Sequence, residues 1–195
     1  MRTINAGSRG IVVRTMVAGV AVSGLIAGCG TTVGGSPKTE EANATGANTT
    51  LINGEKSVVY NPCKDLSDEK IRAAGADPAT KRTVTDAQSG PAAFRICQWE
   101  ATDLPYYVSI GSSIYSLADT RNNDKLTDFR DVPIGPRTGL VHKDKRFDDR
   151  CYVSLPMSGG SIMVTAGWKH GEQTARDICD LVIEDGKALE PFLPK

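Results

Sequence analysis

The chain has 195 residues, 23 basic and 23 acidic side chains, a formal charge of zero, 39% hydrophobic residues and five cysteines. That length suits a single domain behind a targeting segment. The even charge balance lacks the basic excess that non-specific nucleic-acid binding needs, so no nucleic-acid partner is expected.

Arg2, Arg9 and Arg14 precede an uncharged run over residues 16–27, and no acidic residue occurs before Glu40. The run is about 12 residues, well short of the roughly 20 that cross a bilayer, so its place between basic and small residues predicts a signal peptide over 1–28. Ile26-Ala27-Gly28-Cys29 has the form of a lipobox: a branched apolar residue, two small residues, and a thiol to take the diacylglycerol. Cys29 is therefore expected to be lipidated, with the domain held on the outer face of the cytoplasmic membrane and the membrane as its first partner. No second arginine flanks the three, which favours the general secretion route. Loss of residues 1–28 takes the basic count from 23 to 20 against 23 acidic residues, a balance of about −3 that offers no electrostatic pull toward anionic lipid.

Residues 29–57 read as the lipidated cysteine and a tether rich in Gly, Thr, Asn and Ser. Such a segment buries too little to offset the entropy of ordering it, and roughly 28 coil residues reach about 30 Å. The sequons at Asn43 and Asn48 are chance matches behind a bacterial lipobox.

Residues 58–195 are the predicted globular domain. Ser67 with Leu66 and Ile71 announces a short helix over 68–74 that stops at Gly75. Residues 76–92 read as polar and irregular. Alternation predicts strands over 94–101, with Cys97, Trp99 and Ala101 inward, and over 106–110, with Tyr106, Val108 and Ile110 inward. A weaker helix follows over 115–126, then short strands over 131–134 and 138–142. Residues 151–157 and 162–168 form the clearest hairpin, turning through Ser158-Gly159-Gly160-Ser161. A closing helix over 172–189 carries Ala175, Ile178, Cys179 and Val182 on one stripe, with Gly186 positioned to shorten it. Runs of neighbouring strands indicate an α+β fold: an antiparallel sheet with helices packed on one face.

Without Cys29, four cysteines remain: Cys63, Cys97, Cys151 and Cys179. An even remainder in an oxidising compartment predicts two disulfides. Three connectivities are open. Cys63–Cys97 with Cys151–Cys179 is preferred, because each pair then joins a helix or its entry to a strand in the same half. Each closes a loop of about 30 residues, worth roughly 3.5 kcal/mol in the chain-entropy account. With no Cys-x-x-Cys and no histidine pair, neither a zinc site nor a redox pair is expected.

No catalytic, metal or cofactor site is expected. His142 and His170 read as solvent-exposed loop residues, Asp148 and Asp149 as a solvated cluster beside Arg146 and Arg150, and Trp99 and Trp168 as core residues. Gly135-Pro136-Arg137 reads as a strand joint more readily than as an anion cleft. Ser112-Ser113 lacks the glycines of a nucleophile elbow.

Taken together, the lipobox and polar tether, Asn61-Pro62-Cys63-Lys64-Asp65-Leu66, a helix ending Ala73-Ala74-Gly75, Cys97-Gln98-Trp99, Cys151-Tyr152-Val153 and Cys179 form a set of landmarks. These resemble the actinobacterial cell-envelope lipoproteins of the family that includes mycobacterial LprB and LprC, a domain family of unknown function. The resemblance spans nearly the whole mature chain. It implies an envelope location and supports the preferred disulfide pairing, and it carries no catalytic residue. The expected function is a non-enzymatic binding or accessory module engaging an envelope protein, lipid or glycan. The alternative is an envelope hydrolase or transferase in which His142 or His170 meets Asp148 or Asp149 in a cleft.

Overall fold

A computed structural model describes residues 48–195. The expected signal peptide, Cys29 and the tether up to residue 47 lie outside the described residues. The first described elements correct the tether boundary. Strands β1 (Thr49–Ile52) and β2 (Glu55–Val58) pair antiparallel, with Leu51 opposite Lys56. Asn53 and Gly54 both have positive φ (53° and 82°), the geometry of the tight mirror-image turn for which an Asn-Gly pair is suited.

Asn61 caps α1 (Pro62–Asp65) by accepting from the Cys63 N–H, and α2 (Asp68–Ala73) follows after Ser67. Next come β3 (Ala76–Thr85), β4 (Phe94–Ala101), β5 (Tyr106–Ser113) and α3 (Leu117–Arg121). Strands β6 (Leu126–Ile134), β7 (Arg137–Asp144), β8 (Arg150–Met157) and β9 (Gly160–Trp168) precede α4 (Ile178–Leu189). The longer strands form one seven-stranded antiparallel sheet in the order β3-β4-β5-β9-β8-β7-β6.

One sheet face holds the core. Val153 pairs with Val164 and Leu155 with Ile162, and these four sit with Trp99, Val108 and Ile110 at 2% exposure or less. Helix α4 lays Ile178, Leu181, Val182 and Leu189 onto this face. Gly186 does not end the helix. A Cβ there would stand 3.0 Å from Val153 Cγ1, so its absence lets the helix backbone approach β8. The disulfides are Cys63–Cys97 and Cys151–Cys179, separated by 34 and 28 residues, and they staple α1 to β4 and α4 to β8.

Several sequence expectations need correction. Residues 76–85 are a strand rather than irregular chain: β3 is an edge strand, paired on one side only and mostly solvated, so it shows little hydrophobic alternation. Helix α3 has five residues, not twelve, and α4 starts at Ile178 because the Asp177 side chain accepts from the Cys179 N–H and caps it there. The helices do not share one face. The disulfides hold α1 and α4 on the core side, while α3 borders a cavity on the other.

Both sheet edges are irregular. Strand β3 contains Pro78 and two register shifts against β4, and β6 contains Pro133 and a shift near Asp128, whose φ is 57°. No helix among the described residues is long and apolar enough to cross a membrane.

Candidate functional site

In a strand, side chains alternate between faces. With Val108, Ile110, Val153 and Val164 in the core, Gly111, Ser113, Tyr152, Ser154, Ser161 and Met163 fall on the opposite face. Most of these are small, so the twisted sheet leaves a trough instead of a filled layer. Residues of α3 and the chain after it (Asp119, Thr120, Asn122, Asn123, Leu126) wall it on one side. The result is a cavity of about 680 Å³, within the 300–1,000 Å³ range of small-molecule sites. Phe94 and Tyr115 stand at its rim, with ring centroids 5.4 Å apart.

The deep hydroxyls are already paired within the protein. Ser161 Oγ donates to the Tyr115 carbonyl at 2.8 Å, and Ser113 Oγ accepts from the Tyr115 N–H at 3.1 Å. Ser112 Oγ donates to the Tyr60 carbonyl at 2.7 Å, and Ser154 Oγ lies 3.1 Å from His142 Nε2. What they leave facing the void is mostly methylene and ring surface.

His142 is not in a solvated loop, as the sequence suggested; it lies on β7, 2% exposed, and lines this cavity. Its ring stacks on Tyr152 at 5.2 Å with 3° between planes. Burial drives its pKa down from 6.5 to about 4, outweighing the nearby Asp144 carboxylate, so the imidazole is neutral at ordinary pH. Burial also raises the Tyr152 phenol to about 12. Asp144 is held at about 2, chiefly by hydrogen bonds from the Arg146 guanidinium at 2.6 and 2.9 Å. Asp119 is spent in the cap of α3, where it accepts from the Ser116 N–H. The charges bordering the cavity therefore have partners of their own.

Ser154 and His142 are within the reach of a nucleophile and its base. Two features weaken that chemistry. His142 Nδ1 is buried with no partner, so no third group holds the ring through a hydrogen bond to that nitrogen. A base of pKa about 4 also takes a proton poorly near neutrality, where the best general base has a pKa close to the working pH.

The other residues singled out from sequence lie elsewhere. His170, Asp148 and Asp149 share a shallow cleft of about 290 Å³ with Arg146 and Phe147. There Arg150 holds Asp149 at 2.8 Å and covers the Phe147 ring at 4.0 Å. His142 is therefore not brought together with Asp148 or Asp149. Arg137 makes no anion cleft: it pairs with Glu190 at 3.0 Å and donates to the Pro194 carbonyl at 2.7 Å. Trp99 and Trp168 are buried in the core as expected. Among the described residues, no group of three or more His, Cys, Asp or Glu side chains is placed to hold a metal ion.

Hydrophobic patterning does not mark the cavity. The one signal is small residues, Ser109, Gly111 and Ser113 on β5 with Ser161 and Thr165 on β9, on the face opposite the aliphatic one.

No curated protein and no solved structure matches the chain. A family model does match, over residues 24–191, more than half the sequence. The chain, with its stapled sheet and cavity, belongs to the family described as "Protein of unknown function (DUF3558)".

Proposed function

We propose that this protein is a lipid-anchored, extracytoplasmic binding module whose cavity takes the apolar portion of an envelope molecule, an acyl or similarly uncharged chain. The observation that carries this reading is the roughly 680 Å³ cavity whose deep hydroxyls already have internal partners. A glycan brings many hydroxyls and needs matching free donors and acceptors, because unpaired polar groups are costly once buried. An apolar chain asks for none. The paired Asp144 and Arg146 at the border leave the site without a lone charge to demand a charged ligand. The lipobox ending at Cys29, the two disulfides and the resemblance of the landmarks to those of actinobacterial envelope lipoproteins all fit an anchored position outside the cytoplasm.

The test is titration of the purified protein with a dansyl-labelled undecanoic acid. Saturable binding is expected, at least tenfold weaker in Met163→Trp, which fills the cavity floor from β9. Absence of saturable binding, or equal affinity in that variant, refutes the reading. Mass spectrometry of the N-terminal peptide from envelope-purified protein tests the anchor: diacylglycerol on Cys29 is expected, and a free thiol there overturns it.

A hydrolase or transferase is the second reading, and the Ser154–His142 contact is what favours it. It requires turnover of a p-nitrophenyl acyl ester that is lost in Ser154→Ala and in His142→Asn. The depressed basicity of His142 favours binding over turnover.

A further inference from the structure

The geometry points to a membrane-contacting surface: the β1–β2 hairpin and the Phe94–Tyr115 rim together meet a phospholipid bilayer and turn the cavity mouth toward it. Leu51 is 71% exposed, and Tyr115 and Phe94 are 47% and 37% exposed. Single exposed apolar residues are ordinary. These three are joined. Leu51 pairs across the hairpin with Lys56, whose Nζ donates to the Ile114 carbonyl at 3.2 Å, next to Tyr115. The Ile114 N–H in turn donates to the carbonyl of Ala93, next to Phe94. An exposed leucine and two rings make a set suited to the headgroup boundary, where aromatic rings settle.

The position of the hairpin supplies the second argument. The chain enters the described fold at Asn48, which accepts from the Val59 N–H through its backbone carbonyl, so the hairpin is the first of the described elements. Eighteen residues lie between Cys29 and Asn48. Even fully extended they span at most about 65 Å. The chain leading from Cys29 thus joins the domain at Asn48, beside the hairpin. The other exposed aromatic, Phe147, lies in the β7–β8 connection beside the second cleft and is covered by Arg146 and Arg150. This inference rests on the proposed apolar cavity for its purpose, though the surface itself is tested separately.

The full chain is purified from the envelope of its expression host and mixed with vesicles of phosphatidylcholine and phosphatidylglycerol whose acyl chains are brominated. Two variants, Leu51→Trp and Phe147→Trp, are compared with the unsubstituted chain, whose buried Trp99 and Trp168 supply the baseline. Expected is a blue shift and at least a twofold quenching of the added emission in Leu51→Trp, with little change in Phe147→Trp. No quenching in either variant, or equal quenching in both, overturns the proposal. Leu51→Asp placed in a Tyr115→Trp chain provides a second reading and should lower the quenching of that tryptophan several-fold; unchanged quenching also counts against the surface. Dansyl-acid binding measured without vesicles separates the two ideas. Probe binding without quenching removes the membrane surface alone, and quenching without probe binding removes the cavity reading alone.

Discussion

Two buried titratable groups oppose each other in the response of stability to pH, and substitution of Asp185 exposes this. Asp185 lies on α4 against β5, where its Oδ1 accepts from the Tyr106 hydroxyl at 3.0 Å and its Oδ2 is buried without a partner. Burial is the main force raising its pKa from 3.8 to about 7, against the lowering effect of the Tyr106 hydrogen bond; Glu184 adds to the rise. Arg176 offers little relief, since it is paired with Glu184 at 2.7 Å. The folded state holds a proton here that the unfolded chain releases near pH 4. This stabilisation is complete below pH 3.8 and is lost as pH rises through about 7, by about 4 kcal/mol at 1.36 kcal/mol per pH unit. His142 works the other way. With its pKa lowered from 6.5 to about 4, it contributes stability above pH 6.5 that disappears as pH falls toward 4, about 3 kcal/mol. Between pH 4 and 6.5 the two slopes largely cancel.

Asp185→Asn keeps the shape of the protonated carboxyl and its acceptor for Tyr106. It should match the parent near pH 4 and exceed it by about 4 kcal/mol at pH 7.5. His142→Asn should instead show stability falling steadily as pH rises from 4 to 7. Urea denaturation followed by circular dichroism, with disulfides intact, measures both. If Asp185→Asn is equally displaced from the parent at pH 4.5 and 7.5, or weaker at pH 7.5, the buried-carboxyl argument fails.

The disulfides close loops of 34 and 28 residues, so Cys63→Ala with Cys97→Ala, or the equivalent pair at Cys151 and Cys179, should each lose about 3–4 kcal/mol in urea unfolding. A loss below about 1 kcal/mol would show that native packing already supplies the constraint. Arg137→Ala strips a partner from Glu190, whose side chain is 5% exposed, and should lower stability by about 3 kcal/mol, with Lys195 limiting the damage. Arg137→Ala combined with Glu190→Gln should recover part of it. A double variant no better than the single would assign the loss to packing.

The sequence disclosed the core more readily than the site. Strands β8 and β9 are legible because Val153, Leu155, Ile162 and Val164 fall at every second position and meet across the Ser158-Gly159 turn. Cysteine parity and the placement of each cysteine near a helix or strand gave the pairing seen here. Strand β3 was missed because Ala76–Thr85 is polar and contains Pro78; its backbone pairing with β4 holds it in place. His142 reads as a loop residue because Lys143, Asp144 and Lys145 follow it in sequence. In a strand, however, His142 shares a face with Leu140 and Asp144, both of them buried, and not with Lys143. The cavity escaped for a related reason. Serine and glycine carry no hydrophobic signal, and the trough they leave becomes enclosed only when α3 folds against its side.

The irregular borders of the sheet bear on how densely such molecules can be crowded. A protein confined to a surface meets its own copies far more often than one diffusing in bulk, and a long straight border strand would invite ribbon-like stacking. Pro78 and the register shifts at one border, and Pro133 with the Asp128 kink at the other, interrupt the row of free donors and acceptors that stacking requires. On the membrane anchor proposed above, neighbouring copies should remain separate bodies at high lateral density, each with its own mouth unobstructed.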